Sequence, residues 1–299
     1  MGRGNMKSAI VAMSAILTFV SIQSSASEKV IYGKDNRKDL FEVLNPMHLK
    51  LANSTVALVK RSSTTQTSSG LIHIEAETFE QSMGVCKKER FSDQPSGGFC
   101  SGSLIGKNLI LTAGHCITSM SDCQSTSFVF GYSVNSRGVY PSDIPELDVV
   151  SCKNIIYRTQ QSQGADFAIV EIDREINHRE PLKLANRTED NELQRGDKLL
   201  MIGHPAGLPT KVEDGATVRD PSPSGFFVAN TDSYGGNSGS AVFNLQTGEI
   251  EGVLVRGEQD YVYTNGCYVS KICSENGCRG EDITKISAVI PNMPASFTK

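Results

Sequence analysis

The sequence predicts an all-β fold of the sandwich or barrel kind, and three observations predict it. Long helical periodicity is almost absent from the 299 residues. Short runs rich in β-branched and aromatic residues recur instead, as they do in half-buried strands. Gly, Asn, Asp, Ser and Pro punctuate these runs, and those residues set turn conformations. In chain order the runs are Ser54–Val59, Phe128–Tyr132, Phe167–Ile172, Lys198–Gly203, Phe226–Asn230 and Ile250–Val255. Between the third and fourth lies Asp173–Arg195, polar, charged and interrupted by Pro181. It reads as a crossing between two halves. Arg61–Gly70 (RSSTTQTSSG) reads as a surface loop.

Composition bounds the function. Hydrophobic residues make up 38%, with 27 Gly besides, which excludes a disordered or collagen-like chain. A net charge of −4, from 29 basic and 33 acidic residues, offers no attraction to nucleic acid or anionic lipid. The N-terminus combines a basic start (Met1–Lys7), an apolar run (Ala9–Ile22) and small residues at Ser24-Ser25-Ala26. This pattern predicts a secretory signal peptide over residues 1–26. The run is shorter than the roughly 20 residues of a membrane span, so the mature form is expected to have no membrane partner. Removing residues 1–26 takes away Arg3 and Lys7 and no acid, which deepens the negative charge by two.

All eight cysteines follow the signal, at 86, 100, 116, 123, 152, 267, 273 and 278. An even count in an exported chain predicts disulfides. No pair has CxxC spacing and the five histidines are scattered, so no metal is expected. No phosphate-binding or dinucleotide fingerprint occurs, so no cofactor is expected either.

Three segments can carry chemistry. Leu111-Thr-Ala-Gly-His115-Cys116 follows an apolar run. Ala165-Asp166-Phe-Ala-Ile-Val170 opens a strand-like run. Gly235-Gly-Asn-Ser238-Gly-Ser-Ala-Val-Phe243 is a glycine-rich turn around a serine. Peptide hydrolysis needs a nucleophile, a base and a group that orients the base, and Ser238, His115 and Asp166 supply those types. The set resembles the chymotrypsin-fold (trypsin-like) serine proteases. Residues 112–116 match T-A-G-H-C in full. Phe99-Cys100-Ser-Gly-Ser-Leu-Ile105 is similar to the C-G-G-S-L-I strand. Gly236-Asn-Ser238-Gly-Ser240 is similar to G-D-S-G-G. Val30-Ile-Tyr-Gly-Lys-Asp-Asn-Arg37 and Gly203-His-Pro-Ala-Gly207 resemble the bacterial branch that contains glutamyl endopeptidases. The resemblance runs from about Val30 to Val255.

The resemblance implies two six-stranded antiparallel β-barrels, residues 30–178 and 179–299, with the active site between them. It implies a secreted (extracellular or periplasmic) serine endopeptidase acting on protein or peptide substrates through an acyl-enzyme. His115 would be the general base, Asp166 its orienting partner and Ser238 the nucleophile. The N–H groups of Gly236 and Ser238 would form the oxyanion hole, and Cys100 would pair with Cys116. A short pro-segment, Ser27–Lys29, would be removed by an activating protease. The family's Asp before the nucleophile is Asn237 here, so a freed amine would find no carboxylate there.

Asp232, six residues before Ser238, stands where trypsin holds an Asp that selects Arg or Lys. Its other reading is a strand-end Asp in a rebuilt loop, because Tyr234 replaces a family cysteine. Val255-Arg256-Gly257 replaces the Ser-Trp-Gly substrate strand. Arg256 would favour acidic substrates there or point to solvent. Residues 266–281 hold three cysteines beyond the family pattern and suggest a rigid rim. Cys123–Cys152 suits neighbouring strands of the first barrel, leaving Cys86 to join Cys267, Cys273 or Cys278. The alternative function is a catalytically inactive, protease-like secreted binding protein. The sequence leaves oligomeric state and calcium dependence open.

Overall fold

The computed structural model describes residues 1–2, 30–187 and 191–295. Apart from Met1 and Gly2, the signal peptide and pro-segment read at 1–26 and 27–29 lie outside the described residues. Strand β1 (Ile31–Tyr32) precedes the first half, which holds β2 (Thr55–Lys60), β3 (Thr64–Gln66), β4 (Leu71–Ile74), β5 (Gly98–Gly106), β6 (Leu109–Thr112), β7 (Thr126–Phe130), β8 (Asp143–Pro145), β9 (Val149–Gln160) and β10 (Asp166–Ile172). The second half holds β11 (Leu199–Gly203), β12 (Lys211–Glu213), β13 (Val218–Asp220), β14 (Phe226–Ala229), β15 (Ala241–Asn244), β16 (Ile250–Arg256) and β20 (Glu281–Lys285). Between β16 and β20 lie β17 (Tyr261–Thr264), β18 (Cys267–Ser270) and β19 (Ile272–Cys273). All six runs predicted from the sequence form strands.

The first half closes into a six-stranded barrel in the order β10-β6-β5-β2-β7-β9, with every pair antiparallel. Closure leaves no free edge for another chain to add to. The second half is a curled half-barrel, a seven-stranded sheet ordered β12-β11-β15-β16-β20-β14-β13. The two-barrel fold therefore holds, with one correction: the second sheet has seven strands rather than six. Its edge strands β12 and β13 are three residues each, and a bridge between Lys198 and Thr217 lies near one margin.

Burial explains which strands the sequence revealed. Strand β10 reads DFAIVEI and is buried at six of seven positions. Strand β20 reads EDITK, yet Glu281, Asp282 and Thr284 are buried. Hydrophobicity cannot announce such a strand, because its polar groups find partners only after folding. One apolar cluster runs through both halves, joining Leu58, Phe128 and Ile169 to Ile202, Phe243 and Val253. The polar stretch 173–195 carries no strand among the described residues. Within Arg61–Gly70, the expected loop, Thr64–Gln66 instead forms β3 beside β4 and β8.

The disulfides are Cys100–Cys116, Cys123–Cys152, Cys86–Cys267 and Cys273–Cys278. The third fastens the segment before β5 to β18, across 181 residues of sequence.

The connection from β11 to β12 turns at His204–Gly207. His204 is fully buried, and its Nδ1–H donates to the Leu208 carbonyl at 3.0 Å. Its Nε2 has no hydrogen-bond partner among the described residues. Burial pushes its pKa down to about 3, because a cation there would lose its hydration. The unfolded chain therefore binds one more proton than the folded chain between about pH 6.5 and that value. Stability should be complete above about pH 6.5 and fall by up to ~1.4 kcal/mol per pH unit below it. Urea titrations of the wild type and His204→Asn between pH 7 and 4 check this: the variant's pH slope should be shallower. Equal slopes would exonerate His204.

Candidate active site

His115 sits in the turn after β6, and Asp166 is the first residue of β10. Strands β6 and β10 are paired neighbours, with Thr112 opposite Ala168. The pairing brings the two residues together although 51 positions separate them. Asp166 Oδ1 accepts the His115 backbone N–H at 3.1 Å. Its Oδ2 accepts from His115 Nδ1 at 2.7 Å, so Nε2 is left as the basic nitrogen. The Asp166 side chain is 4% exposed and that of His115 25%. The carboxylate is thus sealed while the imidazole reaches solvent.

Close packing enforces the seat. A Cβ on Gly114 would lie 2.0 Å from the Thr159 carbonyl oxygen and 2.9 Å from Asp166 Oδ1. Arg158 Nε donates to the Gly114 carbonyl at 2.7 Å. From the other half, Thr284 Oγ1 lies 3.0 Å from both the N and the O of Asp166.

Ser238 lies between β14 and β15. The Ser101 N–H on β5 donates to its carbonyl at 2.8 Å. Cys116 Sγ lies 3.7 Å from that oxygen, so Ser238 stands beside the Cys100–Cys116 disulfide, whose Cys116 directly follows His115 in the chain. Gly236 has φ +84°, a backbone state that glycine adopts without a Cβ penalty. Its N–H has no acceptor among the described residues. Asn237 is held by neutral bonds: Nδ2 donates to Ser233 Oγ at 3.0 Å, and Oδ1 accepts from Ser240 Oγ at 2.7 Å.

Two expectations are corrected. Asp232 does not open onto a substrate pocket. It is 1% exposed and accepts from the backbone N–H groups of Tyr32 (2.7 Å) and Asn36 (3.2 Å). Burial pushes its pKa up to about 6. Tyr234, where the family has cysteine, packs its ring against Phe79 and Tyr261 and supports the Arg37 guanidinium at 3.9 Å. This rebuilt loop carries Asp232 to the N-terminal strand. Arg256 is likewise committed. Its Nε donates to Asp282 Oδ2 at 3.0 Å, and its two other nitrogens donate to the Gln161 and Gly164 carbonyls at 3.0 and 2.8 Å. Through these bonds it ties β16 to the 161–164 turn and to β20. Val255 is fully buried and Gly257 half-buried.

Cys100, His115 and Cys116 have side-chain donor atoms within 4.8 Å of one another. Both sulfurs are in a disulfide and offer no thiolate to a metal. Sequence reasoning missed Ser101 and Ala206. Ser101 stands where the resembled strand has glycine, which is the one available signal. Ala206 has φ +52°, a left-handed state costing about 1 kcal/mol for a residue with a Cβ. Its N–H donates to the Gly235 carbonyl at 2.6 Å.

The trypsin-like peptidase domain model matches residues 100–253, just over half of the chain. Among solved structures, the VesB protease of Vibrio cholerae superimposes with a TM-score of 0.50 at 18% identity, covering 88% of this chain and 66% of that one. The chain thus spans just under two thirds of that protease. A Glu endopeptidase solved in complex with MPD gives 0.51 at 18% identity, covering 90% of this chain and 100% of that one. Both likenesses concern the fold. No curated protein sequence matches the chain.

Two predictions follow from these contacts. Gly114→Ala should lower stability by on the order of 1–3 kcal/mol through overpacking and displace Asp166, which a thermal melt and an activity assay would detect together. Asp232→Asn should lower stability by on the order of 1–3 kcal/mol, because its amide nitrogen would face one of the two N–H groups and leave it without an acceptor. It should leave unchanged the residue preferred before the cut in peptide-library profiling. Loss of an Arg or Lys preference in that variant would return Asp232 to the substrate site.

Proposed function

The chain belongs to the trypsin-like peptidase family and is a serine-type endopeptidase, and from that premise we propose a triad of Ser238, His115 and Asp166 in an exported enzyme. The observation that carries the reading is the double hydrogen bond from His115 to the buried Asp166 carboxylate. It fixes the imidazole tautomer and orientation that a general base requires.

The chemistry runs as follows. Ser238 Oγ attacks the scissile carbonyl carbon while its proton passes to His115 Nε2. The carbonyl π pair moves to oxygen, and that oxyanion takes the N–H groups of Gly236 and Ser238. Asp166 stabilises the imidazolium without taking its proton. Collapse expels the amine, which receives the proton from Nε2, and leaves an acyl-Ser238. Water then repeats the sequence and frees the acid. Each donor of an oxyanion site is worth on the order of 10² to 10³ in rate. An Arg/Lys preference is not carried into this reading, because Asp232 serves residues 32–36.

Export belongs to the same proposal. Residues 1–26 are the signal, 27–29 a pro-segment cut after Lys29 by an activating protease, and 30–178 and 179–299 the two halves. Four disulfides support an oxidising destination. Val30 is fully buried, and its carbonyl accepts the Ser233 N–H at 3.1 Å, which supports residue 30 as part of the folded body.

A fluorophosphonate should label the wild type at Ser238, and Ser238→Ala should fold normally with peptidase activity reduced by at least about 10⁴-fold. Undiminished cleavage by the variant would end the reading. A folded, purified wild type that neither cleaves a peptide library nor takes the label would turn it toward an inactive binding protein.

A further inference from the structure

The segment carrying Ser238 has four consecutive carbonyls, each with its own donor. Gly235 O takes the Ala206 N–H at 2.6 Å, and Gly236 O takes Ser101 Oγ at 3.3 Å. Asn237 O takes the Ser240 N–H at 3.0 Å, and Ser238 O takes the Ser101 N–H at 2.8 Å. None of these peptides is cis among the described residues. In a trans peptide the carbonyl and the next N–H point in opposite directions. Holding the Gly235 carbonyl therefore aims the Gly236 N–H, and holding the Asn237 carbonyl aims the Ser238 N–H. Between those two planes lies the Gly236–Asn237 plane, whose N–H goes to the Tyr234 carbonyl at 3.1 Å.

Three of the four donors come from outside the segment, on Ala206 and Ser101, and the Ser101 hydroxyl joins the two sources. Ser101 Oγ donates to the Gly236 carbonyl and accepts the His204 N–H at 2.9 Å. His204 opens the turn that carries Ala206, and the Ala206 carbonyl is itself held by Ser96 Oγ at 2.5 Å. Ser101 is fully buried on β5 of the first barrel, whereas both loops belong to the second half. Paired glycines at 235 and 236 have unusual freedom to flip their peptide planes. Something must hold those planes, and water does not reach this hydroxyl.

We propose that Ser101 is a positioning residue for the oxyanion site: its hydroxyl, bonded at once to the His204 N–H and the Gly236 carbonyl, fixes the plane between the two that aim the Gly236 and Ser238 N–H groups and ties it to the turn whose Ala206 N–H holds the first of them. The inference rests on the triad reading above and extends it to a residue that touches no substrate. A preorganised donor costs nothing to reorient when charge develops. Loosening the aim should therefore slow bond formation and leave ground-state binding alone.

The test measures fluorophosphonate inactivation of the processed enzyme, resolved into a maximal rate and a half-saturation concentration. It also measures kcat and KM on the best peptide from the library. Ser101→Ala should lower the maximal inactivation rate and kcat by about tenfold, less than outright loss of a donor, with KM and the half-saturation concentration within about twofold. Ser101→Thr, which keeps a hydroxyl, should recover part of the rate. Should Ser101→Ala fail to fold, Ser96→Ala, which frees only the Ala206 carbonyl, should show the same split in smaller measure. A wild type labelled at Ser238 whose folded variants keep both rates would overturn the inference alone. So would a loss shared equally between kcat and KM. A folded wild type that takes no label would remove the triad reading and this inference with it.

Discussion

The buried Asp166 carboxylate is the constraint on which the site depends. A carboxylate removed from water costs several kcal/mol unless its lone pairs are met. Here both oxygens take N–H groups of one residue, His115, so satisfying the charge and orienting the imidazole are the same act. The geometry needs β6 and β10 as neighbours, because only that pairing sets the turn after β6 against the start of β10. It also needs Gly114, since any side chain would occupy the space of the Thr159 carbonyl. The closed barrel is thus the frame that makes one buried charge affordable.

The two halves are joined by a shared apolar core and by a few polar atoms that each serve both sides. Thr284 Oγ1 on β20 reaches the backbone of Asp166 on β10. Arg256 on β16 reaches the carbonyls of Gln161 and Gly164. Ser101 on β5 reaches the Gly236 carbonyl with its hydroxyl and the Ser238 carbonyl with its N–H. Apolar packing tolerates small slips between elements, whereas hydrogen bonds weaken steeply with misalignment. These joints therefore set the register of the cleft more sharply than the core does.

Charge is buried a second time around the N-terminal strand. Arg37, 1% exposed, pairs with Asp35 at 2.7 Å and lies over Tyr234. Lys211, equally buried, pairs with Asp39 at 2.7 Å, and burial pushes its pKa down to about 8. Asp232 belongs to this group. Burying several charges together demands that each meet a partner, so residues 30–39 have few alternative placements. A carboxylate that in another loop could have faced a substrate here fastens the chain's own backbone.

Much of this protein was legible in its sequence. The six β-rich runs became strands because their side chains alternate or run apolar, a local property that burial merely realises. His115, Asp166 and Ser238 stood out as candidates because each sits in a short motif whose residue types the chemistry requires, and folding sets His115 against Asp166. The Cys100–Cys116 pairing came from the same resemblance. Counting six residues back from Ser238 misled, since a position along the chain does not say where a rebuilt loop turns. Strand β20 was invisible because Glu281 and Asp282 read as surface. Their burial depends on groups distant in sequence, such as Tyr32 for Glu281 and Arg256 for Asp282. By itself the sequence determined the fold class and the disulfide-bearing character, and it named the three side chains proposed to cooperate. Tertiary structure alone decided which partners Asp232, Arg256 and Ser101 meet, because a polar side chain bonds to whatever groups folding brings within reach.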